Sequence, residues 1–160
     1  MPKVILTVGL PGSGKSTWRS KFIADNPSDN WVEVSSDDII DDWAKEKGLT
    51  YSEAFSKINQ KWVTKTFFER ITKAVDAGRN IIVDRTNMTP KGRGEVLKRL
   101  NETYHTTAVI FIIPSDELAR RLKHRAETTG KEIPDFVIKN MANSYVAPTL
   151  DEFDEIIQNS

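Results

Sequence analysis

The chain has 160 residues, which suits one compact domain and leaves little room for a second. Its 23 basic residues balance its 23 acidic residues, and a net charge of zero argues against a protein that coats long duplexes by charge alone. The sequence has no cysteine and only two histidines, which excludes disulfides and cysteine nucleophiles and disfavours a multi-histidine metal centre.

No part of the sequence resembles a targeting signal or a membrane span. The strand-like run at residues 4–8 leads directly into a glycine-rich loop, whereas a secretory signal needs a longer apolar stretch and a small-residue cleavage site. No apolar run approaches the roughly 18–20 residues that cross a bilayer. We therefore expect no membrane association and a cytoplasmic location.

Strand and helix patterns alternate from the N-terminus onward. Residues 3–8 form an apolar run that is typical of a buried strand, and a helix is predicted from residue 15 to about residue 25. Residues 31–34 form a second, short strand candidate. A strand, a helix and another strand in this order favour a parallel pairing of the two strands.

The clearest helix pattern in the chain covers residues 52–77. Apolar side chains recur there at steps of three and four residues, as they do on the buried face of a helix. Ser52 can cap the start of this helix, and Gly78 can end it. We predict one long helix over the whole segment.

The C-terminal half continues the alternation of strands and helices. Residues 80–84 and 107–113 are apolar runs without polar alternation, which indicates strands buried on both faces of a sheet. Thr89 and Pro90 form a good helix start with proline at the first helical position, and Ser115 caps a further helix. The remaining elements are a helix over residues 134–144 and a short closing strand at residues 155–157.

Strands that alternate with helices favour the α/β fold class. Parallel strands are normally joined through a helix on one face of the sheet. We therefore predict a parallel sheet of about five strands with helices on both faces. Because the sequence shows no repeat, low-complexity tract or linker, residues 1–160 are expected to form a single domain.

A phosphate-binding pattern follows the first predicted strand. The sequence Gly-Leu-Pro-Gly-Ser-Gly-Lys-Ser at residues 9–16 fits G-x-x-x-x-G-K-[ST], the P-loop. Its glycines let successive N–H groups converge on phosphate oxygens, and the helix behind it adds its positive end. In this pattern Lys15 bridges the β- and γ-phosphates of ATP and Ser16 binds Mg²⁺. The predicted ATP-binding residues here are Gly12, Ser13, Gly14, Lys15, Ser16 and Thr17.

A P-loop is shared by GTPases, motor ATPases and kinases. The guanine-reading N-K-x-D segment of GTPases does not occur in this sequence. Motor and AAA-type ATPases need additional subdomains, for which 160 residues leave little room. A small kinase needs only an acceptor base, a metal site and a basic lid, and candidates for all three are present.

Carboxylates follow two of the predicted strands. Asp37 and Asp38 come after the second strand, at the edge where the carboxyl ends of parallel strands form a ligand crevice. Either could accept the proton of an attacking hydroxyl, and either could instead cap the helix that starts near Ile39. Asp84 ends an apolar strand, with Asn87 close behind. Asp84 is a candidate outer-shell ligand of Mg²⁺, or else a turn residue.

Basic residues crowd one end of the helix that starts at Ser115. They are Arg120, Arg121, Lys123, His124 and Arg125. A basic helix end often only compensates the helix dipole. Next to the polar segment at residues 127–131, in a P-loop enzyme, these arginines also suit a lid that closes over ATP and stabilises the transferring phosphoryl group. We expect this helical lid at about residues 115–145.

Taken together, these motifs resemble the phage polynucleotide 5′-kinase family. Residues 5–18 closely resemble the opening of these kinases, residues 22–27 continue the match, and a looser resemblance covers nearly the whole chain. It implies a P-loop kinase-like fold that uses ATP and Mg²⁺, and a location in the host cytoplasm if the chain is phage-encoded. The companion phosphatase domain is absent, so no end-healing phosphatase activity is expected.

The same resemblance implies roles for individual residues. Asp37 falls at the acceptor-site position of the family, which implies that it is the general base. Residues 84–87 are similar to the family segment that ends in Thr-Asn. Residues 117–125 resemble the lid helix, which implies that Arg121 and Arg125 contact ATP.

Three features depart from the family pattern. The family has an arginine three residues after the catalytic aspartate, where it grips the acceptor's phosphate, and this position is Ile40. An aspartate precedes Thr-Asn in the phage enzymes, whereas this chain has Arg85. The polar lid segment over residues 125–134 is also longer. These departures affect the expected identity of the acceptor more than the expected reaction, which is phosphoryl transfer.

The leading hypothesis is an ATP- and Mg²⁺-dependent kinase that phosphorylates a nucleic acid, DNA or RNA, at a 5′-OH end. Asp37 would deprotonate the acceptor, and Lys15 and Arg125 would hold the γ-phosphoryl group. Ser16 and Asp84 would hold the metal. A second possible acceptor is a hydroxymethylated pyrimidine such as 5-hydroxymethyluridine in phage DNA. Less favoured hypotheses are a small-molecule or nucleotide kinase and a nucleotide-dependent switch that transfers no phosphate.

Overall fold

Five strands run through the centre of the computed structural model, which describes residues 1–159. They are β1 (Lys3–Val8), β2 (Val32–Ser35), β3 (Ile81–Asp84), β4 (His105–Phe111) and β5 (Glu155–Asn159). All pair in parallel, in the order β2-β3-β1-β4-β5. The predicted α/β class, with a parallel sheet of about five strands, is confirmed.

Seven α-helices within residues 1–159 connect or cover the strands. They are α1 (Lys15–Asp25), α2 (Ser36–Lys47), α3 (Tyr51–Lys57), α4 (Gln60–Asp76), α5 (Pro90–Leu97), α6 (Ser115–Thr129) and α7 (Asp135–Ser144). The predicted bounds of β1 and α1 agree with these. Predicted β2 begins one residue early and predicted β4 two residues late. In this described part of the chain, no helix combines the length and the apolarity that crossing a membrane requires.

Successive β1 side chains point to opposite faces of the sheet, and both faces are covered. Val4 and Leu6 belong to the larger core cluster, together with Phe67 of α4. Ile5 belongs to a second cluster, against which Trp18 of α1 packs. The strand is therefore buried on both faces, as its unbroken apolar run predicts.

The sheet register brings three strand ends to one place. Thr7 of β1 and Ser35 of β2 are both aligned with Asp84 at the end of β3. The segments that leave these strands are the P-loop, the start of α2 and the turn after β3. Candidate residues that are far apart in sequence therefore share one edge, which is the usual ligand crevice of an open α/β sheet.

The prediction of one helix over residues 52–77 is wrong, because the helix is interrupted at Ile58 and Asn59, between α3 and α4. The side chain of Asn59 accepts hydrogen bonds from the backbone N–H groups of Lys61 and Trp62, and so starts α4 anew. Helix α3 begins with a capping box formed by Thr50 and Glu53, so Ser52 is not the cap.

The predicted start and end of the basic helix also need correction. Ser115 lies in the first turn of α6 and does not cap it; the preceding residue is Pro114, which provides no side-chain acceptor. The helix continues to Thr129, about one turn beyond Arg125. The basic cluster therefore lies in the middle of the helix, and compensation of the helix dipole does not account for it.

A buried ion pair anchors the turn that follows β3. Arg93 of α5 is fully buried and donates to both carboxylate oxygens of Glu152, at 2.8 and 3.2 Å. It also donates to the carbonyl of Asn87 at 2.9 Å, and the Asn87 amide donates to the carbonyl of Thr7 at 2.8 Å. The segment before β5 is thus connected through Arg93 to the turn beside the P-loop.

Glu152→Gln is expected to lower the free energy of unfolding at pH 7 by about 3 kcal/mol, because it leaves a buried arginine charge uncompensated. Partial burial favours a raised pKa for Glu152, but hydrogen bonds from Arg93 and Thr149 outweigh it and hold the pKa below 4.5. The stabilisation is therefore present above pH 4.5 and lost as the pH falls through the folded-state pKa.

Chemical denaturation of both proteins across pH 3–7 measures this difference. The exposed residue Glu102 provides the control, since Glu102→Gln should change stability by no more than about 0.5 kcal/mol. Equal effects of the two substitutions at pH 7 would show that the Arg93 pair contributes nothing.

Candidate active site

The P-loop connects β1 to α1 and has the backbone conformation that the motif needs. Gly12 and Gly14 have φ angles of +82° and +103°, a region that side-chain-bearing residues rarely adopt. A Cβ added at Gly12 would lie 3.1 Å from Leu122 of α6, so this helix lies directly against the loop. The loop is also attached to the turn after β3, because the Gly9 N–H donates to the Thr86 carbonyl at 3.0 Å.

Lys15 is buried and folds back over the loop. Its Nζ donates to the carbonyls of Gly9 and Leu10, at 2.6 and 3.1 Å. Burial lowers its pKa from 10.5 to about 8, although the charges of Asp84 and Asp37 oppose this shift. The lysine therefore carries a poorly solvated charge at neutral pH, and an anion bound in the loop would compensate it.

Arg19 links three carboxylates at the edge of the sheet. It lies one turn after Lys15 on α1 and forms ion pairs with Glu33 at 3.1 Å, Asp38 at 3.2 Å and Asp84 at 3.3 Å. Its side chain is only 11% exposed. Asp38 is thus engaged by Arg19 rather than directed at an acceptor. Sequence reasoning missed Arg19, whose only signal was its position four residues after the P-loop lysine.

The oxygen donors near the loop fit Mg²⁺. Ser16 is exposed at the start of α1, and Asp84 accepts a hydrogen bond from the Thr7 hydroxyl at 2.9 Å. No group of three or more His, Cys, Asp or Glu side chains able to hold a metal occurs among residues 1–159. Mg²⁺ is often held by one or two protein oxygens together with phosphate and water, and this sparse set suits it.

Asp37 lies in the first turn of α2 and is free of any capping role. The cap is Ser35, whose hydroxyl accepts from the Asp38 N–H, so the capping interpretation of the two aspartates is wrong. The Tyr51 hydroxyl donates to one oxygen of Asp37 at 2.5 Å, and Arg125 pairs with the other at 3.5 Å. Burial and the charge of Asp37 raise the pKa of Tyr51, so its hydroxyl remains a donor.

The basic cluster on α6 divides into two faces. Arg121 and Arg125 are one turn apart and face the P-loop side, whereas Arg120, Lys123 and His124 are exposed to solvent away from it. Arg121 reaches within 3.4 Å of the position that a Cβ on Gly14 would occupy. Two of the five basic residues are therefore placed to meet a ligand.

The turn between α6 and α7 contacts the start of α3. Lys131 pairs with Asp41 at 3.0 Å and lies 4.6 Å from the centre of the Tyr51 ring. The Ser52 hydroxyl also donates to the carbonyl of Gly130. These contacts join the basic helix to α2 and α3 across the crevice, and they had no signal in the sequence.

These elements enclose one groove of about 1100 Å³. Every residue that the sequence predicts for the site lines it: Gly12, Ser13, Gly14, Lys15, Ser16, Thr17, Asp37, Asp84, Arg121 and Arg125. The volume exceeds what a single small ligand usually fills. A phosphate-binding loop, a carboxylate on the opposite wall and two arginines between them can hold two substrates during phosphoryl transfer.

The chain matches known families and proteins over most of its length. The model of the AAA domain family AAA_33 matches residues 4–148. Heterogeneous nuclear ribonucleoprotein U-like protein 2 of Mus musculus is 28% identical over 158 aligned residues, which cover 96% of this chain and 21% of the relative. The chain therefore spans about a fifth of the length of that curated relative.

Two solved structures show the same fold. A chain of the Pnkp1/Rnl/Hen1 RNA repair complex is 28% identical, with a TM-score of 0.70 over 89% of this chain and 43% of that chain. A fungal RNA kinase is 17% identical, with a TM-score of 0.64 over 99% of this chain and 38% of that chain. At 17% identity the likeness concerns the fold alone.

Lys15→Met is expected to raise the free energy of unfolding at pH 7 by about 1 kcal/mol. It removes a charge whose burial costs on the order of 3 kcal/mol and leaves two carbonyls without their donor. The folded-state pKa of about 8 lies below the unfolded value, so wild-type stability rises between pH 8 and 10.5 and the advantage of the variant shrinks. Denaturation curves at pH 7 and 10 measure this.

The same variant should bind ATP roughly 100-fold more weakly, since a charge-assisted contact to phosphate is lost. The exposed residue Lys73 of α4 is the matched control, and Lys73→Met should change neither property. A Lys15→Met protein that is less stable than wild type at pH 7 would contradict the assignment of a charge that is unfavourable because it is buried.

Proposed function

This chain belongs to the AAA_33 family of AAA domains, and on that premise we propose that it is a kinase that transfers the γ-phosphoryl group of ATP to a hydroxyl of a nucleic acid, with a polynucleotide 5′-OH as acceptor. The proposal includes Mg²⁺ as cofactor and DNA or RNA as partner. It also includes a lid at about residues 115–145, formed by α6 and α7.

One observation carries the proposal: Arg125 of the lid lies 3.5 Å from Asp37. Arg125 is the side chain proposed to hold the γ-phosphoryl group, and Asp37 is the proposed acceptor base. Phosphoryl transfer requires a group that orients or deprotonates the attacking hydroxyl and a positive charge that stabilises the transferring group, both close to the reacting phosphorus. Their proximity in a single groove supports a transferase over a protein that only binds nucleotide.

In the proposed reaction the acceptor hydroxyl gives its proton to Asp37 while its oxygen attacks the γ-phosphorus. The bond from that phosphorus to the bridging oxygen of ADP breaks, and ADP leaves with the electron pair. Lys15 and Arg125 stabilise the negative charge on the transferring group, and Tyr51 orients Asp37 through its hydrogen bond. Mg²⁺, held through Ser16 and Asp84, would supply further charge neutralisation.

Nucleic acid is the proposed acceptor for four reasons. Residues 5–18 resemble the opening of phage polynucleotide 5′-kinases, and the 28% identical structure belongs to an RNA repair complex. The curated relative is a ribonucleoprotein by name. The groove wall opposite the P-loop also carries Phe55, which is 52% exposed and can stack on a base.

Asp37→Asn is expected to lower kcat about 10³-fold, because the acceptor proton loses its base. The affinity for ATP should stay within a few-fold of wild type. Transfer of label from γ-labelled ATP to 5′-OH oligonucleotides measures the rate, and equilibrium binding measures the affinity. The neighbouring residue Asp42 of α2 lies outside the groove and gives the control Asp42→Asn, which should retain full activity.

No transfer by the wild-type protein to any DNA or RNA end would remove the proposed function. A nucleotide-dependent switch would transfer no label, and its affinity for ATP would change little with Asp37→Asn.

A hydroxymethylated base within DNA is the second candidate acceptor, because the phosphate-gripping position of the family is Ile40, which is apolar and only 3% exposed. Such an acceptor needs no grip on a terminal nucleotide, although its base must leave the helix to react.

The two acceptors are separated by where the label lies. With 5′-OH DNA, we expect a 5′-exonuclease to release the label with the terminal mononucleotide. Label that survives end removal and appears only with DNA containing 5-hydroxymethyluridine would favour the second candidate. Unmodified DNA of the same sequence is the control.

A further inference from the structure

Lys131 lies in the turn between α6 and α7 and has two partners across the groove. Its Nζ donates to Asp41 at 3.0 Å and lies 4.6 Å from the centre of the Tyr51 ring. Asp41 is on α2, and Tyr51 is the first residue of α3. The Lys131 side chain is only 20% exposed, so water screens these contacts less than it screens a surface pair. Lys131 thus connects the lid to both helices.

Tyr51 continues this connection to the proposed acceptor base. The face of its ring meets Lys131, and its hydroxyl donates to one oxygen of Asp37 at 2.5 Å. Asp37 and Asp41 are one turn apart on α2, so Tyr51 and Lys131 bind carboxylates on the same face of this helix. A continuous set of contacts therefore runs from the lid to the Asp37 carboxylate.

The contact from Tyr51 becomes more important once ATP is bound. Among residues 1–159, Asp37 has two side-chain partners, which are Tyr51 and Arg125. In the proposed reaction Arg125 holds the γ-phosphoryl group, so it no longer pairs with Asp37. Tyr51 is then the partner that fixes the carboxylate and leaves its other oxygen free for the acceptor hydroxyl. A mobile Tyr51 ring would leave the base in several orientations, of which few are productive.

We infer that Lys131 is a positioning residue: by holding the Tyr51 ring, it keeps Asp37 oriented while the lid is closed. The inference rests on the proposed kinase function and adds to it a link between closure of the lid and the acceptor base. When the turn after α6 moves away from α2 and α3, Lys131 leaves the ring and Asp37 loses this support. The base is therefore fully oriented only when the lid lies over the groove.

Steady-state kinetics of Lys131→Gln and Tyr51→Phe test the inference. Each substitution should lower kcat by about 5- to 10-fold, the effect of one cation–π contact or one hydrogen bond to a carboxylate, while KM for ATP stays within about 2-fold of wild type. Because Lys131 acts through Tyr51, the double variant should be no slower than Tyr51→Phe alone. Losses that multiply would show that the two residues act independently and would overturn the inference.

Two further lysine substitutions control this experiment. Lys131→Arg keeps a cation over the ring and a donor to Asp41, so its kcat should stay within about 2-fold of wild type. Lys139 of α7 is exposed and lies outside the groove, so Lys139→Gln should keep the wild-type kcat. A loss in Lys131→Arg as large as that in Lys131→Gln would show that the positive charge is not what positions the ring, and would overturn the inference.

Tyrosine NMR measures the same contacts without turnover. The chain has three tyrosines, so carbon-13 at the ζ position of tyrosine gives three signals, and Tyr51→Phe identifies one of them. The position of this signal reports the hydrogen bond of the phenol, and Asp37→Ala gives its value without the carboxylate. In Lys131→Gln we expect the Tyr51 signal to move toward the Asp37→Ala position, whereas Lys139→Gln should leave it unchanged. A Tyr51 signal that stays at the wild-type position in Lys131→Gln would overturn the inference.

The kinetic and NMR measurements together separate this inference from the proposed function. Transfer by wild type, with no effect of Lys131→Gln on kcat or on the Tyr51 signal, would leave the function standing and remove the inference. Absence of transfer, with a shifted Tyr51 signal in Lys131→Gln, would remove the function and retain the link from the lid to Asp37. Absence of both would remove both.

Discussion

The ion pairs of Arg19 hold the chemically important strand ends in one arrangement. Carboxylates from β2, the start of α2 and the end of β3 would repel one another at the edge of the sheet, and a single nearly buried guanidinium offsets all three. Because Arg19 and Lys15 lie one turn apart on α1, the phosphate loop and these carboxylates are held in a fixed position relative to each other. The position of Asp37 also depends on it, since its neighbour Asp38 is one of the three partners.

Lys15 and Arg85 share a property that distinguishes them from most charges in the structure. Each is a cation withdrawn from water, and burial lowers the pKa of both. In a folded protein such charges are unfavourable unless an anion compensates them. Pre-oriented, poorly solvated cations are also what a site needs to stabilise transferring phosphate, because they require no reorganisation when the charge arrives. In the proposed kinase, the groove would exchange some stability for affinity toward phosphate.

Local patterns predicted most of the fold and the P-loop, whereas contacts between distant segments could not be predicted. The bounds of α1 and the parallel pairing of the strands follow from apolar runs, glycines and the preference for helical crossovers. The break at Asn59 was visible as a capping residue, but the apolar periodicity on either side obscured it. The hydrogen bond from Tyr51 to Asp37 and the position of Arg85 over Phe67 depend on how α3 and α4 pack, which no short pattern encodes.

The buried pair of Arg93 and Glu152 has a consequence for where this fold can be cut. Arg93 attaches the segment before β5 to Asn87, and Asn87 attaches the turn after β3 to β1. Deleting the chain from Glu152 onward would therefore disturb the phosphate loop, although Asn159 alone among the described residues of that segment borders the groove. Any shortened or fused version of this domain must keep β5 and the segment before it, since that segment supports the edge of the sheet that carries the candidate site.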